Sequence, residues 1–192
     1  MLIEIILLLF LILLNGVFAM AELALVGARK TRLQASANAG NRGAVAALAL
    51  LDKSGRFLST VSIGITLIGV SVSTIGGDSF VIPLAAAIET IPVLVDYSHA
   101  LAVGVIVISI AFLTIVVGEL VPKRIAIAHP ESISIFLARF MTLVTIVVSP
   151  AEWFLSGATN LVLKLLPVST TSSAPVTDEE INLMMREGAA AG

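Results

Sequence analysis

A carboxylate stands at the end of an apolar stretch, where hydrocarbon disfavours it. Ala100 to Gly118 has no ionisable group and is long enough to cross a bilayer, and it runs straight into Gly118-Glu119-Leu120-Val121-Pro122-Lys123-Arg124. A charged side chain at the membrane centre costs about 2.5–3.5 kcal/mol on insertion scales, so an acid in or beside a span points to a functional site. Pro122 sharpens the signal. It has no N–H, so the carbonyl four residues back, that of Gly118, loses its helical partner. A freed main-chain oxygen beside a carboxylate offers two hard donors, which suits a small hard cation such as Mg²⁺. The other reading of Glu119 is an acid at the membrane boundary in an ion pair with Arg124.

Two polar stripes could complete such a site. Ser59, Ser62, Thr66, Gly69 and Ser73 recur at steps of three and four, and Asn15, Ala19 and Glu22 do the same. That spacing puts each set on one helical face, and in lipid such faces turn into the bundle. Glu119, the Gly118 carbonyl, Ser62 and Thr66 are the candidate cation ligands, with Asn15, Ala19, Glu22 and Ser59 as candidate pocket wall. Stripes of Gly, Ser and Thr are also the usual packing surface between membrane helices. Packing is the expected role of Ser59, Gly69 and Ser73, while ligand and packing roles both stand for Ser62 and Thr66. Glu22, about two turns before Arg29, reads as an interfacial acid paired with Lys or Arg.

Composition sets the class. Of 192 residues, 58% are hydrophobic and 12% charged, and the mean hydropathy is +1.08, values of a membrane protein. The net charge of −2 provides no basic surface for nucleic acid. With Cys 0, disulfides, thiolate metal sites and cysteine nucleophiles are excluded. His99 and His129 lie in separate segments, which argues against a zinc site. No base–nucleophile pair stands out, so an enzyme is not expected. The apolar start is read as an uncleaved span, because Glu4 stands where a signal peptide has positive charge and Ala19-Met20-Ala21 runs on into apolar helix.

The elements that must position these groups are all helical. Charge-free windows predict three transmembrane helices, over about 2–28, 57–77 and 100–120. Lys30–Leu51 reads as a short intracellular helical element broken at Gly40-Asn41 and Gly43, and Pro83 and Pro92 predict a broken segment on the outer face. The apolar run Phe140–Ala151 is too short to span, so 133–148 is read as a short re-entrant or interfacial piece ended by Ser149-Pro150. Residues 151–166 are then a juxtamembrane helix, with Trp153 an interface anchor. With three spans, all 11 Lys and Arg fall on one side, which the positive-inside tendency makes cytoplasmic, leaving the N-terminus outside. Residues 1–167 form this membrane domain. Residues 168–192 read as a Ser/Thr/Pro linker and the start of an acidic helix with a capping box at Thr177–Glu180, and the sequence has the look of a piece of something longer.

Three segments carry a resemblance. Asn15-Gly16-Val17-Phe18-Ala19-Met20-Ala21-Glu22-Leu23-Ala24-Leu25, Arg56-Phe57-Leu58-Ser59-Thr60-Val61-Ser62-Ile63-Gly64-Ile65-Thr66-Leu67 and Gly118-Glu119-Leu120-Val121-Pro122-Lys123-Arg124 are similar, in order and spacing, to the three helix signatures of the CorC/cyclin-M membrane domain. The resemblance implies a plasma-membrane homodimer of three-span protomers that exports Mg²⁺ in exchange for Na⁺. It adds Gly64 and Ile65 to the candidate pocket. It also implies a cytosolic CBS-pair module beyond this piece, where ATP would bind. Magnesium-transporting members commonly have serines where Ala19 and Ala21 stand, and an asparagine at the position of Ile65. Some relatives with similar depletion are linked to polyamine export, and a carboxylate suits an ammonium group equally well. Three readings follow: an Mg²⁺ exporter coupled to Na⁺ influx, an exporter of polyamines or another cation, and a non-transporting membrane anchor and dimerisation platform for a cytosolic sensor.

Overall fold

The computed structural model describes residues 2–165 as helices joined by short turns, with no strand among the described residues. The expected linker and acidic helix at 168–192 lie outside them. Helix α1 (Leu2–Gly27) is apolar at almost every position. Two short helices follow, α2 (Lys30–Asn38) and α3 (Arg42–Asp52). They are parted where Gly40-Asn41 predicted. Gly40 takes φ 88°, a left-handed value that glycine adopts readily. The Asn41 side chain then accepts from the N–H groups of Gly43 (2.9 Å) and Ala44 (3.3 Å), capping α3. Lys30 Nζ reaches Asp52 Oδ1 at 2.8 Å and closes the open end of the hairpin.

Helix α4 (Ser54–Ile75) is the second long apolar helix. The broken excursion after it consists of α5 (Asp78–Ile88) and a 3-10 segment, Pro92–Tyr97. Pro83 lies inside α5 rather than ending it. Val81 and Ala85 pack on Ala102 of α6 (Ser98–Ile115). Ser79 Oγ donates to Glu4 of α1 at 2.9 Å, and Ser98 Oγ to Glu89 at 3.3 Å. From α6 the chain passes through a π-helical segment, Val116–Leu120, into α7 (Val121–Ala128).

Helix α1 is the centre of the assembly. It packs against α4 and also against the π segment and α7. Ile12, Phe18, Phe57, Val61 and Met141 are core residues around it.

The last helix departs from expectation. Instead of a short piece over 133–148 and a separate helix from 151, α8 (Pro130–Leu165) is continuous, with Pro150 inside it. A membrane helix tolerates proline because neighbouring groups re-satisfy the backbone it frees. Among the described residues, four stretches are thus long and apolar enough to cross a membrane by length and composition: Leu2–Gly27, Ser54–Ile88, Pro92–Ala128 and Pro130–Leu163. Both carboxylates of the first part of α8 are tied down. Glu131 Oε1 lies 3.7 Å from Arg32 Nη1 and accepts from the Arg29 N–H at 3.5 Å. Glu152 Oε2 lies 3.3 Å from Arg56 Nε. By its contacts the chain divides into two units, residues 1–153 and 154–192. The described part of the second, 154–165, is helical.

Candidate functional site

Pro122 determines the local geometry. The helix before it widens to π form over Val116–Leu120, with the Val121 N–H reaching back five residues to the Val116 carbonyl. Single π turns of this kind are frequent at functional sites. The Gly118 carbonyl, freed as the sequence implied, accepts from Asn15 Nδ2 at 3.0 Å across 103 residues of chain. Asn15 is only 6% exposed, so this bond satisfies two polar groups that water cannot reach.

The backbones can meet here because two glycines face the contact. A Cβ on Gly16 would stand 2.9 Å from Pro122 Cγ and 3.3 Å from the Val117 carbonyl oxygen. One on Gly118 would stand 3.1 Å from the Ile12 carbonyl oxygen. Small residues allow such approaches between membrane helices.

Glu119 sits one residue further on, half exposed, with Lys123 Nζ 2.6 Å from its Oε1. The partner is Lys123 and not Arg124, because four residues on is the same helical face and five is not. In the sequence Lys123 stands mainly as a topology charge. Its spacing from Glu119 was the signal for the pair.

Asn15, Gly118 and Glu119 are therefore brought together, with Gly16, Pro122 and Lys123 as further members of the site. The α4 candidates are placed differently. Ser62 and Thr66 are exposed, and Thr66 Oγ1 donates to the Ser62 carbonyl at 2.8 Å. Ser59 Oγ likewise donates to the Gly55 carbonyl at 3.1 Å. Helix α4 and the π segment each pack on α1 more than on one another. Gly64 is buried where Phe18 covers it, and Ile65 is half-buried against the core. Ala19 is buried on α1. Glu22 is half-buried and makes no ion pair or hydrogen bond among the described residues, against the expectation of a Lys or Arg partner.

A cavity of about 510 Å³ separates α4 from α6. Gly69 and Ser73 line it from α4, Gly76 from the residue just past it, and His99, Thr114 and Ile115 from α6. Its α6 wall, from His99 to Ile115, covers about 24 Å of helix at 1.5 Å per residue. It ends one turn short of Glu119. Thr114 Oγ1 is buried there without a hydrogen-bond partner, whereas Ser71 and Thr74 of α4 bond carbonyls of their own helix. Sequence periodicity did not mark Thr114, since its neighbours are all apolar. No group of three or more His, Cys, Asp or Glu converges among the described residues.

Comparison with known proteins accords with these features. The chain is 43% identical over 182 residues to UPF0053 protein sll0260 of Synechocystis sp., a match covering 95% of this chain and 41% of that protein. It is 31% identical over 182 residues to the polyamine export protein of Haemophilus influenzae, covering 95% and 42%. It is 26% identical over 192 residues to the polyamine export protein of Escherichia coli strain K12, covering 100% and 43%. The chain thus spans about two fifths of the length of these relatives. The family model for the cyclin M transmembrane N-terminal domain matches residues 6–192, and the chain belongs to that family of membrane proteins.

Proposed function

We propose that this protein is an exporter of organic cations across the plasma membrane, with an alkylammonium of the polyamine type as cargo. The observation that carries the reading is the Glu119–Lys123 contact of 2.6 Å. The carboxylate already holds a primary ammonium on an alkyl stem, the same chemical group that ends a diamine. Beside it lies the long, mostly apolar cavity between α4 and α6, which suits the methylene chain of such a cargo. Two of the relatives bear the name polyamine export protein, and Ala19, Ala21 and Ile65 leave few side-chain oxygens for a metal.

In this reading Glu119 binds the ammonium head, while Asn15 and the Gly118 carbonyl hold the widened turn in register. Thr114 offers its unpaired hydroxyl to the second ammonium or to water moving with it. The protein acts as a homodimer of three-span protomers, N-terminus outside and C-terminus cytoplasmic, with α8 on the cytoplasmic side.

The test is flux of labelled putrescine in proteoliposomes. Glu119→Gln should abolish it, and unchanged flux would remove Glu119 from the mechanism.

Mg²⁺ exported against Na⁺ influx is the second reading, favoured by the Gly118 carbonyl beside Glu119. Mg²⁺ would have to keep most of its waters there. Protection against thermal unfolding by Mg²⁺ but not by putrescine would select it.

A further inference from the structure

A second cavity lies away from Glu119, where α3, α4 and α8 converge. Its volume is about 410 Å³, and its lining is amphipathic. Buried Leu50 and Phe57 and exposed Ala49 and Ile146 give it an apolar side, and Thr142, Thr145 and Ser149 line it from α8. Lys53 and Arg56 stand at its rim.

The charges are unequal. Arg56 is engaged, with Ser149 Oγ accepting from its Nη2 and Glu152 3.3 Å from its Nε. Lys53 has no ion pair among the described residues. Two cations line the cavity, with Glu152 beside one of them, next to the first turn of α4, the positive end of a helix dipole. Its place in the fold is equally specific. Lys53 caps the junction between the α2–α3 hairpin and the long apolar helix α4. Charged residues therefore give way to apolar helix at the cavity itself, which places it at the boundary between water and hydrocarbon whichever way the protein is oriented.

We propose that this cavity is a binding site for an anionic phospholipid, the phosphate held between Lys53 and Arg56 and the first acyl carbons laid on Leu50, Phe57 and Ile146. Basic pockets between transmembrane helices at the membrane surface are suited to such headgroups. A soluble anion would use the rim but leave the apolar side empty, so the lipid is the occupant that matches both halves. The site is separate from the cation pathway, and its occupancy would brace α8 against α4.

The experiment is lipid titration of the purified, delipidated chain, read by native mass spectrometry, with phosphatidylglycerol and phosphatidylcholine compared. One Lys near an anionic lipid surface contributes enough that Lys53→Gln should weaken phosphatidylglycerol binding about five-fold. Phosphatidylcholine binding should not change. Ile146→Trp keeps both cations and puts a bulky ring across the apolar side of the cavity. It should weaken phosphatidylglycerol binding while leaving any binding of inorganic phosphate untouched. Lys53 and Ile146 are both exposed, so both variants are expected to fold, and circular dichroism checks this. Equal binding of phosphatidylglycerol by wild type and Lys53→Gln would overturn the proposal. So would displacement of the lipid by millimolar inorganic phosphate, which would make the occupant a soluble anion.

Discussion

The Asn15–Gly118 bond can be tested through the residue that makes it necessary. Asn15→Leu keeps the side-chain shape and removes the donor, so little cavity is created. The buried Gly118 carbonyl loses the donor that Asn15 gave it. An unsatisfied buried polar group costs about 1–3 kcal/mol in general. Hydrogen bonds inside membrane proteins average about 0.6 kcal/mol and reach about 1.7. With Asn15 only 6% exposed, a loss of about 1 kcal/mol is expected. Pro122→Ala supplies the control, because an alanine at that position brings back an N–H four residues after Gly118. In that background the carbonyl regains its helical donor and Asn15 becomes dispensable. Unfolding in mixed detergent and dodecyl sulfate micelles, followed by circular dichroism, should give a coupling of about 1 kcal/mol between the two substitutions. Independent sites add to within about 0.3–0.5 kcal/mol. If Asn15→Leu costs the same in both backgrounds, Pro122 is not what places Asn15 at this carbonyl, and the account of the π segment fails.

Two further outcomes follow from the packing and the ion pair. Gly64→Ala would drive a Cβ into the edge of the Phe18 ring at Cε1, and Phe18 is held edge-on against Phe140 with ring centroids 6.3 Å apart. Forcing that ring aside should cost about 1–3 kcal/mol in the same unfolding assay, and Phe18→Leu in the same chain should recover part of it. Lys123→Gln removes the tethered ammonium from Glu119. Because the two side chains are 34% and 47% exposed, the pair is worth about 0.2–1 kcal/mol at most. Putrescine should then bind up to about five-fold more tightly, measured by thermal protection, with no gain when Glu119→Gln is also present.

The parts of the site that rest on local chemistry were legible in the sequence. A proline without an N–H frees one particular carbonyl in any helix, so Gly118 was identified without coordinates, and the charge-free windows located α1, α4 and α6 closely. What joins Asn15 to Gly118 is tertiary, a contact between residues 103 apart, and the sequence offered Asn15 only as pocket wall. The α4 stripe leaves ligand and packing roles open for a physical reason. Its hydroxyls have a local alternative to any ligand, the carbonyl four residues back, and Ser59 and Thr66 take it. Their spacing looks the same either way. Glu22 is the converse case, a side chain expected to be neutralised that stands unpaired among the described residues.

Helix α8 shows how ion pairs bear on a question that hydropathy leaves open. By length and composition it is a fourth candidate span, and Pro150, read as a stop from rules for soluble helices, does not interrupt it. From Glu131 to Glu152 the helix covers about 30 Å at 1.5 Å per residue, roughly the thickness of the hydrocarbon layer. Were this stretch to stand upright across the bilayer, its two carboxylates would reach opposite surfaces. Yet Glu131 is bound by Arg29 and Arg32, just past α1, and Glu152 by Arg56, in the first turn of α4. Those arginines flank the α2–α3 hairpin and must share one side of the membrane if α1 and α4 each cross once. If α6 makes a third crossing, the same side collects Lys123 and Arg124, in line with the positive-inside tendency. We propose on these two lines that the chain crosses three times and that the Glu131–Glu152 stretch of α8 does not span. A cysteine at Phe136 and another at Ser149 should therefore be labelled by a membrane-impermeant maleimide from the same side of sealed vesicles, and labelling from opposite sides would restore the fourth span.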